Sequence, residues 1–396
     1  MMRKFSFVLA LAALTAPAAA QTATQAAQCN STNDAQAIIG CTMITTLNVA
    51  PNVKSAAFSN RARAYLHRGD TMRALGDLDQ AIKLDPKNSR AFAYRGDYYT
   101  GRGEYGQALE DYTAATQASP KDFEAFGQRG NLHLVQGQPE AAIRDYDQAL
   151  AVNPKFVTAF SNRGEAYRLL GQFDRAIQNY NQAIALAPTF AAAYDNRGVA
   201  YASRDEFDKA LADFDKAAAL DPGNVLVLQH RAFALEGKGD HAGAIGAFDK
   251  ALSANPKDAA ILVARGNAHQ GQGNVDAAIA DYSTALSLDE RNAGAYANRG
   301  TALALKGEYG RAIADFGAGL RMAPQMTALY ANRGLAYVKM KDYRAAIPDL
   351  DRAVGADPND ASSLYNRGVA KRETGDIAGG DADIAKARAI NPNVGN

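Results

Sequence analysis

The sequence predicts an all-α solenoid of ten 34-residue helix-turn-helix units, and three observations carry that reading. Arginine recurs as Arg61, Arg95, Arg129, Arg163, Arg197, Arg231, Arg265, Arg299, Arg333 and Arg367, at an unbroken interval of 34 residues. Proline keeps the same phase at Pro86, Pro120, Pro154, Pro188, Pro222, Pro256, Pro324, Pro358 and Pro392, with Glu290 the one break. Within a unit, Tyr194, Arg197, Gly198 and Tyr201 follow the i, i+3, i+4, i+7 spacing of one helix face. A fixed period of this length marks stacked supersecondary units rather than the two or three globular domains that the chain length suggests.

The elements follow in chain order. Arg3 and Lys4 precede an apolar run, Phe5 to Leu14, and the small residues Ala18, Ala19 and Ala20. Residues 1–20 therefore read as a secretory signal cleaved after Ala20, the alternative being a buried N-terminal helix. The run is too short to span a bilayer, and no other segment is long and apolar enough to do so. Cys29 follows Ala-Ala-Gln and lacks the small residue required just before a lipidated cysteine, so no lipid anchor is expected.

Residues 21–54 form an N-terminal segment in which Ala35, Ile38, Ile39, Thr42 and Ile44 fit one amphipathic capping helix. Cys29 and Cys41 flank its start, and two cysteines in an exported chain favour a structural disulfide. Terminal units of a solenoid need such a cap because their outer apolar face has no neighbour. The ten units then occupy 55–88, 89–122, 123–156, 157–190, 191–224, 225–258, 259–292, 293–326, 327–360 and 361–394. In the fifth unit Arg204 and Asp205 interrupt the first helix where others carry Gly69, Gly103, Gly137 or Gly171, residues that accept the left-handed conformation ending a helix. The second helix runs from about Phe207 to Leu220, and Pro222 stops it. Units six and seven lose their aromatic to Leu228 and Leu262, and their Asn to His230 and Ala264, which predicts a softer joint or changed curvature near 225–292. At the far end, Asp376 to Ile390 carries Lys386 and Arg388 and is expected to serve as its own polar cap.

These units resemble tetratricopeptide repeats. The small eighth position of that family appears as Gly96, Gly130, Gly164, Gly198, Gly266, Gly300, Gly334 and Gly368, and its Ala at the twentieth as Ala74 through Ala346. Small residues on both helices let the two approach backbone to backbone. A large apolar residue at the fourth position, such as Phe58, Phe92 or Tyr296, fills the space between units. The resemblance implies a right-handed superhelix whose concave face, lined by first helices, binds peptides or proteins.

One departure from the family is that its usual Leu at the seventh position is Arg in all ten units. Buried charges need partners. An internal ladder, within units or between adjacent ones, is therefore expected between Arg61, Arg95, Arg129, Arg197, Arg265, Arg299, Arg333 and Arg367 and the twenty-third-position residues Asp77, Asp111, Asp145, Asp213, Asp281, Asp315, Asp349 and Asp383. The alternative is an Arg row that binds an anionic ligand. Asn179 and Ala247 are the two exceptions at the acidic position.

No catalytic constellation, metal site or cofactor is indicated. The five His are not paired at metal-binding helical spacing, and His133 and His269 stand where sister units have Tyr, which reads as core packing. The acids recur with the unit rather than as one asymmetric pair suited to proton transfer. The Gly-x-Gly triplets at 101–103, 237–239 and 271–273 follow helices instead of strands, so no phosphate loop is implied. With 43 Lys plus Arg against 42 Asp plus Glu, no charge excess is present to neutralise nucleic-acid phosphates.

Function then falls to the surface that stacking creates. Asn60, Asn162, Asn196, Asn298, Asn332 and Asn366 form a row able to bond an extended peptide backbone, with Tyr365, Leu335, Val338 and Val369 making the C-terminal end more apolar. The competing reading has these amides bonded to their own helices or to neighbouring units. The Lys and Asn pair with which part of this family grips a C-terminal carboxylate is missing, since neutral pairs such as Ser59 and Ala62 stand there. The sequence thus points to a periplasmic or secreted adaptor for a protein or extended peptide segment. The alternative is a structural spacer that tethers envelope complexes through its ends or convex face.

Overall fold

The computed structural model describes residues 16–395. The chain divides into two compact bodies, Met1–Ala200 and Tyr201–Asn396. Among the described residues every regular element is an α-helix. In the first body these are α1 Ala16–Cys29, α2 Asp34–Thr46, α3 Pro51–His67, α4 Thr71–Leu84, α5 Ser89–Gly101, α6 Tyr105–Ala118, α7 Phe123–Val135, α8 Pro139–Val152, α9 Val157–Leu169 and α10 Phe173–Leu186, with α11 Ala191–Ala202 at its end. The second body holds α12 Phe207–Leu220, α13 Val225–Lys238, α14 His241–Ala254, α15 Ala259–Gly271, α16 Val275–Leu288, α17 Ala293–Leu305, α18 Tyr309–Met322, α19 Thr327–Lys339, α20 Tyr343–Ala356, α21 Ala361–Glu373 and α22 Ile377–Ile390. Inside each body consecutive helices pair as hairpins and each hairpin stacks on the next.

Each of the ten repeat hairpins turns through one left-handed residue. Gly69, Gly103, Gly137 and Gly171 take φ of +70° to +76° there. Asp205 and Lys341 adopt φ of 58° and 60° at the same point without being Gly. An acidic side chain then often caps the second helix, as Asp70 accepts from Arg73 N at 3.3 Å. Between hairpins the first helices are capped likewise, with Asn88 Oδ1 accepting from Ala91 N at 3.2 Å.

At most repeats the small eighth position has a different cause from the one expected. A Cβ on Gly96 would lie 2.6 Å from the Tyr112 ring, and Gly130, Gly164, Gly266 and Gly300 stand in the same relation to Tyr146, Tyr180, Tyr282 and Phe316. At these five positions the glycine makes room for a ring from the second helix, whereas at Gly368 a Cβ would lie 2.8 Å from Gly380 O, the close backbone approach expected. Tyr146, Tyr180, Tyr282, Phe214, Phe248 and Phe316 are among the largest fully buried side chains.

The N-terminal segment holds two helices, α1 and α2, where one capping helix was expected. Cys29 and Cys41 are joined by the expected disulfide, with their Cα atoms 4.5 Å apart, and both are buried. Gly40 lets the pair close, since a Cβ there would come within 2.6 Å of Cys29 N. The predicted signal segment lies mostly outside the described residues, and α1 begins at Ala16. No described helix is long and apolar enough to cross a membrane. The disulfide suggests an oxidising compartment.

The stretch 225–292 lacks several ladder and Asn positions but not burial. A cluster of twelve buried residues, centred on Leu235, Phe248, Leu252, Ile261 and Leu262, joins α13 to α16, against six in the cluster around Tyr146.

Candidate binding face

The seventh-position arginines meet the twenty-third-position carboxylates inside their own hairpins. Arg61 donates Nε to Asp77 Oδ2 and Nη2 to Asp77 Oδ1, both at 2.7 Å. The same fork joins Arg95 to Asp111, Arg129 to Asp145, Arg265 to Asp281, Arg299 to Asp315, Arg333 to Asp349 and Arg367 to Asp383, at 2.6–2.9 Å. Arg163 uses Asn179 instead, at 2.8 Å. Two parallel bonds between fork and carboxylate are the strongest geometry available to this pair. Hydrogen bonds to Asp111 and Asp281 hold the Arg95 and Arg265 guanidinium groups well above their ordinary range, against the opposing effect of burial.

The sequence reading missed the other arm. The Nη1 group reaches back to the twenty-fifth position of the preceding repeat: Arg95 to Asp79 at 2.8 Å, Arg163 to Asp147 at 2.5 Å, Arg265 to Asp249 at 2.6 Å and Arg367 to Asp351 at 3.0 Å. Arg231, whose own repeat offers only Ala247, turns Nε to Asp215 at 2.7 Å. Arg197 donates to Asn181 at 2.5 Å, and Asp213 is buried. For Arg61 the preceding repeat is replaced by the cap, where Thr42 Oγ1 accepts at 3.0 Å. The guanidinium also lies over the fourth-position ring, at 5.3 Å for Arg61 and Phe58 and 5.8 Å for Arg333 and Tyr330. One side chain therefore ties its own hairpin and stitches it to the one before.

A second network runs along the first-helix face. Tyr112 donates its hydroxyl to Asp97 Oδ1 at 2.7 Å, Tyr146 to Asn131 at 2.7 Å and Tyr282 to Asn267 at 2.8 Å. Tyr180 reaches Glu165 at 3.3 Å. These ninth-position acceptors also take an amide from the next repeat: Gln128 on Asp97 at 3.0 Å, Asn162 on Asn131 at 2.7 Å and Asn298 on Asn267 at 2.9 Å. Burial pushes all four Tyr hydroxyls above their ordinary range. It also raises the Asp97 carboxyl, which Tyr112 and Gln128 partly offset.

The proposed Asn row is thus divided. Asn60 donates to Asn30 at 3.0 Å, Asn196 to Ser161 at 3.4 Å, and Asn162 and Asn298 as above. Asn366 donates to its own helix at Ser362 O, 2.8 Å away, and is half-exposed. Asn332 is half-exposed, with no side-chain hydrogen bond among the described residues. Tyr365 does not sit in the row: it packs beside Val394, under the end of the chain. Near Asn332 and Asn366 the face is apolar, with Leu305 65% and Leu335 38% exposed, and Val338 and Val369 half-buried.

Among the described residues no three His, Cys, Asp or Glu are placed to hold a metal ion. His133 Nδ1 meets Gln138 Oε1 at 2.9 Å, and its Nε2 lies 3.7 Å from Asp145, with the side chain 15% exposed.

Tetratricopeptide repeat family models match residues 59–123, 128–189, 191–224, 272–307 and 332–393. The chain belongs to the tetratricopeptide repeat family. The search of curated proteins finds no match. Among solved structures, a tetratricopeptide repeat protein from Parabacteroides merdae ATCC 43184 aligns at TM-score 0.50 and 23% identity, over 63% of this chain and 98% of that one, which supports the fold. TTC0263, a thermophilic TPR protein in Thermus thermophilus, is 25% identical over 46% of this chain and 98% of its own, at TM-score 0.40. YrrB, a TPR protein with an unusual peptide-binding site, is 26% identical over 43% and 89%, at 0.38. Tetratricopeptide repeats in general scaffold protein–protein interaction and are typically non-catalytic.

Proposed function

We propose that this tetratricopeptide chain is a non-catalytic adaptor of the cell envelope that holds an extended protein segment on the first-helix face of its C-terminal repeats. The observation that carries the reading is the division of the Asn row. Amides in repeats one, four, five and eight are bonded to neighbouring side chains. Asn332 and Asn366 instead make no bond to another side chain among the described residues, and exposed Leu305 and Leu335 stand on the same face. An amide beside exposed apolar side chains suits a backbone with alternating side chains. The envelope placement rests on the signal-like start and the disulfide.

A photo-crosslinker placed at Leu335, with a control at Val152 on a second helix, tests this in cells of the source organism. Adducts from the Leu335 position that disappear with Asn332→Ala are expected, together with a mature N-terminus at Gln21 in the periplasmic or secreted fraction. Adducts from Val152 alone would sink the groove reading and favour a spacer working through its outer face.

A further inference from the structure

The Arg stitch between repeats has one open rung. At five junctions an Asp at the twenty-fifth position accepts from the next repeat's Arg: Asp79, Asp147, Asp215, Asp249 and Asp351. At the junction of α18 and α19 that position is Gly317. A Cβ placed on it would lie 3.5 Å from Arg333 Nη1 and 3.9 Å from Arg321 Nη1, and would meet no other side chain within 4 Å. Arg333 keeps its fork on Asp349 through Nε and Nη2, and its Nη1 donates no hydrogen bond among the described residues. Arg321, one turn along α18 from Gly317, is exposed and has no carboxylate within 4 Å among the described residues. Most sister repeats carry a neutral residue in its place, such as Gln117, Ala151, Ala185 or Ser287. Repeat eight has therefore removed the usual acid and added a base at one spot.

We infer that this gap is a carboxylate-binding site, filled in trans by a group that replaces the missing Asp. The chain itself supplies the template, because at five of the eight other junctions a carboxylate takes the incoming Arg at 2.5–3.0 Å, while Thr116, Asn181 and Ser283 accept it at the remaining three. Here two guanidinium groups converge instead of one. Guanidinium groups suit carboxylate geometry, and with Asp349 already balancing Arg333 the Arg321 charge is left for an incoming carboxylate, which Arg333 Nη1 can also reach. The site lies on the edge where α18 meets α19, apart from the Asn positions, so it does not rest on the reading of the first-helix face. Its ligand is an acidic side chain of a bound protein segment or a free small carboxylic acid. A protein segment held elsewhere on the array would present its carboxylate at high effective concentration.

Side-chain NMR of the arginine Nε–H groups in the full mature chain tests this at constant ionic strength. The probes are the capped pentapeptide Ala-Ala-Asp-Ala-Ala, its Ala-Ala-Asn-Ala-Ala counterpart, sodium acetate and sodium sulfate. The Arg321 and Arg333 signals are expected to move saturably with the Asp peptide and not with the Asn peptide. Gly317→Asp, which supplies the rung within the chain, is expected to weaken that response at least tenfold, and so is Arg321→Gln, which leaves the ladder intact. Peptide binding ten times tighter than acetate assigns a protein source, and equal binding assigns a small acid. No movement, equal movement with the Asn peptide or sulfate, or an unchanged response in both variants would overturn the site.

Discussion

Repeats two to four of the N-terminal body and repeats six, nine and ten of the C-terminal body share one backbone plan but finish their first-helix faces in opposite ways. In the former, Tyr112, Tyr146 and Tyr180 pass a hydroxyl to Asp97, Asn131 and Glu165. In the latter the buried position is Phe248, Leu350 or Ile384, and the ninth position is Phe233, Leu335 or Val369. The pairing has a physical cause. A buried hydroxyl costs about 1–3 kcal/mol if left without an acceptor, so a Tyr in the core obliges a polar residue on the face above it. A Phe or Leu lifts that demand, and the face is free to be apolar. Phe233 shows the consequence: it packs edge-on against Phe248, ring centroids 5.5 Å apart, and remains 54% exposed. A Tyr in the core thus obliges a polar face above it, whereas a Phe or Leu permits either, as Arg63 over Leu78 and Thr301 over Phe316 show.

Three experiments break or sharpen this contrast. The largest effect is expected from Asn131→Val, which strands the Tyr146 hydroxyl and the Asn162 amide and should cost about 2 kcal/mol in urea unfolding. Adding Tyr146→Phe should recover at least half of that loss. A double mutant no better than the single would remove the hydroxyl as the cause. Next comes the converse in the C-terminal body. Phe248→Tyr should destabilise by about 1.5 kcal/mol because Phe233 offers no acceptor, and Phe233→Asn on top of it should restore most of the stability.

The smallest effect concerns Asp97. Its carboxyl is raised in the folded chain, so the native state binds the proton more tightly than the unfolded state does. The associated stability is then greatest at low pH and is lost as pH rises from the ordinary carboxylate range through the raised folded value. Asp97→Asn, which copies Asn131 and Asn267, should therefore stabilise the chain at pH 7 by roughly 0.5–1 kcal/mol. The gain should shrink as pH falls toward 4, and a gain independent of pH would show that burial of this carboxylate is not the source.

Much of the plan could be read in the repeat period. The spacing of Arg and Pro gave the helix pairs, and the cost of buried charge gave Asp77 through Asp383 as partners. The Tyr and ninth-position pairing was also readable, because Asp97, Asn131, Glu165 and Asn267 accompany Tyr at the twenty-fourth position while Phe233, Leu335 and Val369 do not. What misled was the Asn row. Six similar residues at one repeat position looked equivalent, yet Asn60, Asn162 and Asn298 find a partner about 31 residues upstream, Asn196 one 35 upstream, and Asn366 only its own helix.

The sequence by itself determined the period, the hairpin, the left-handed turn and the Arg and Asp partners of the ladder, because each follows from residues that recur within one unit. Tertiary structure alone decided which arginine arm crosses a junction, which Asn keeps its amide unspent, and that Gly317 leaves Arg333 facing Arg321 across a gap. Those depend on how one hairpin lies against the next, and a spacing of 16 or 31 residues becomes a contact only when stacking brings the two helices together.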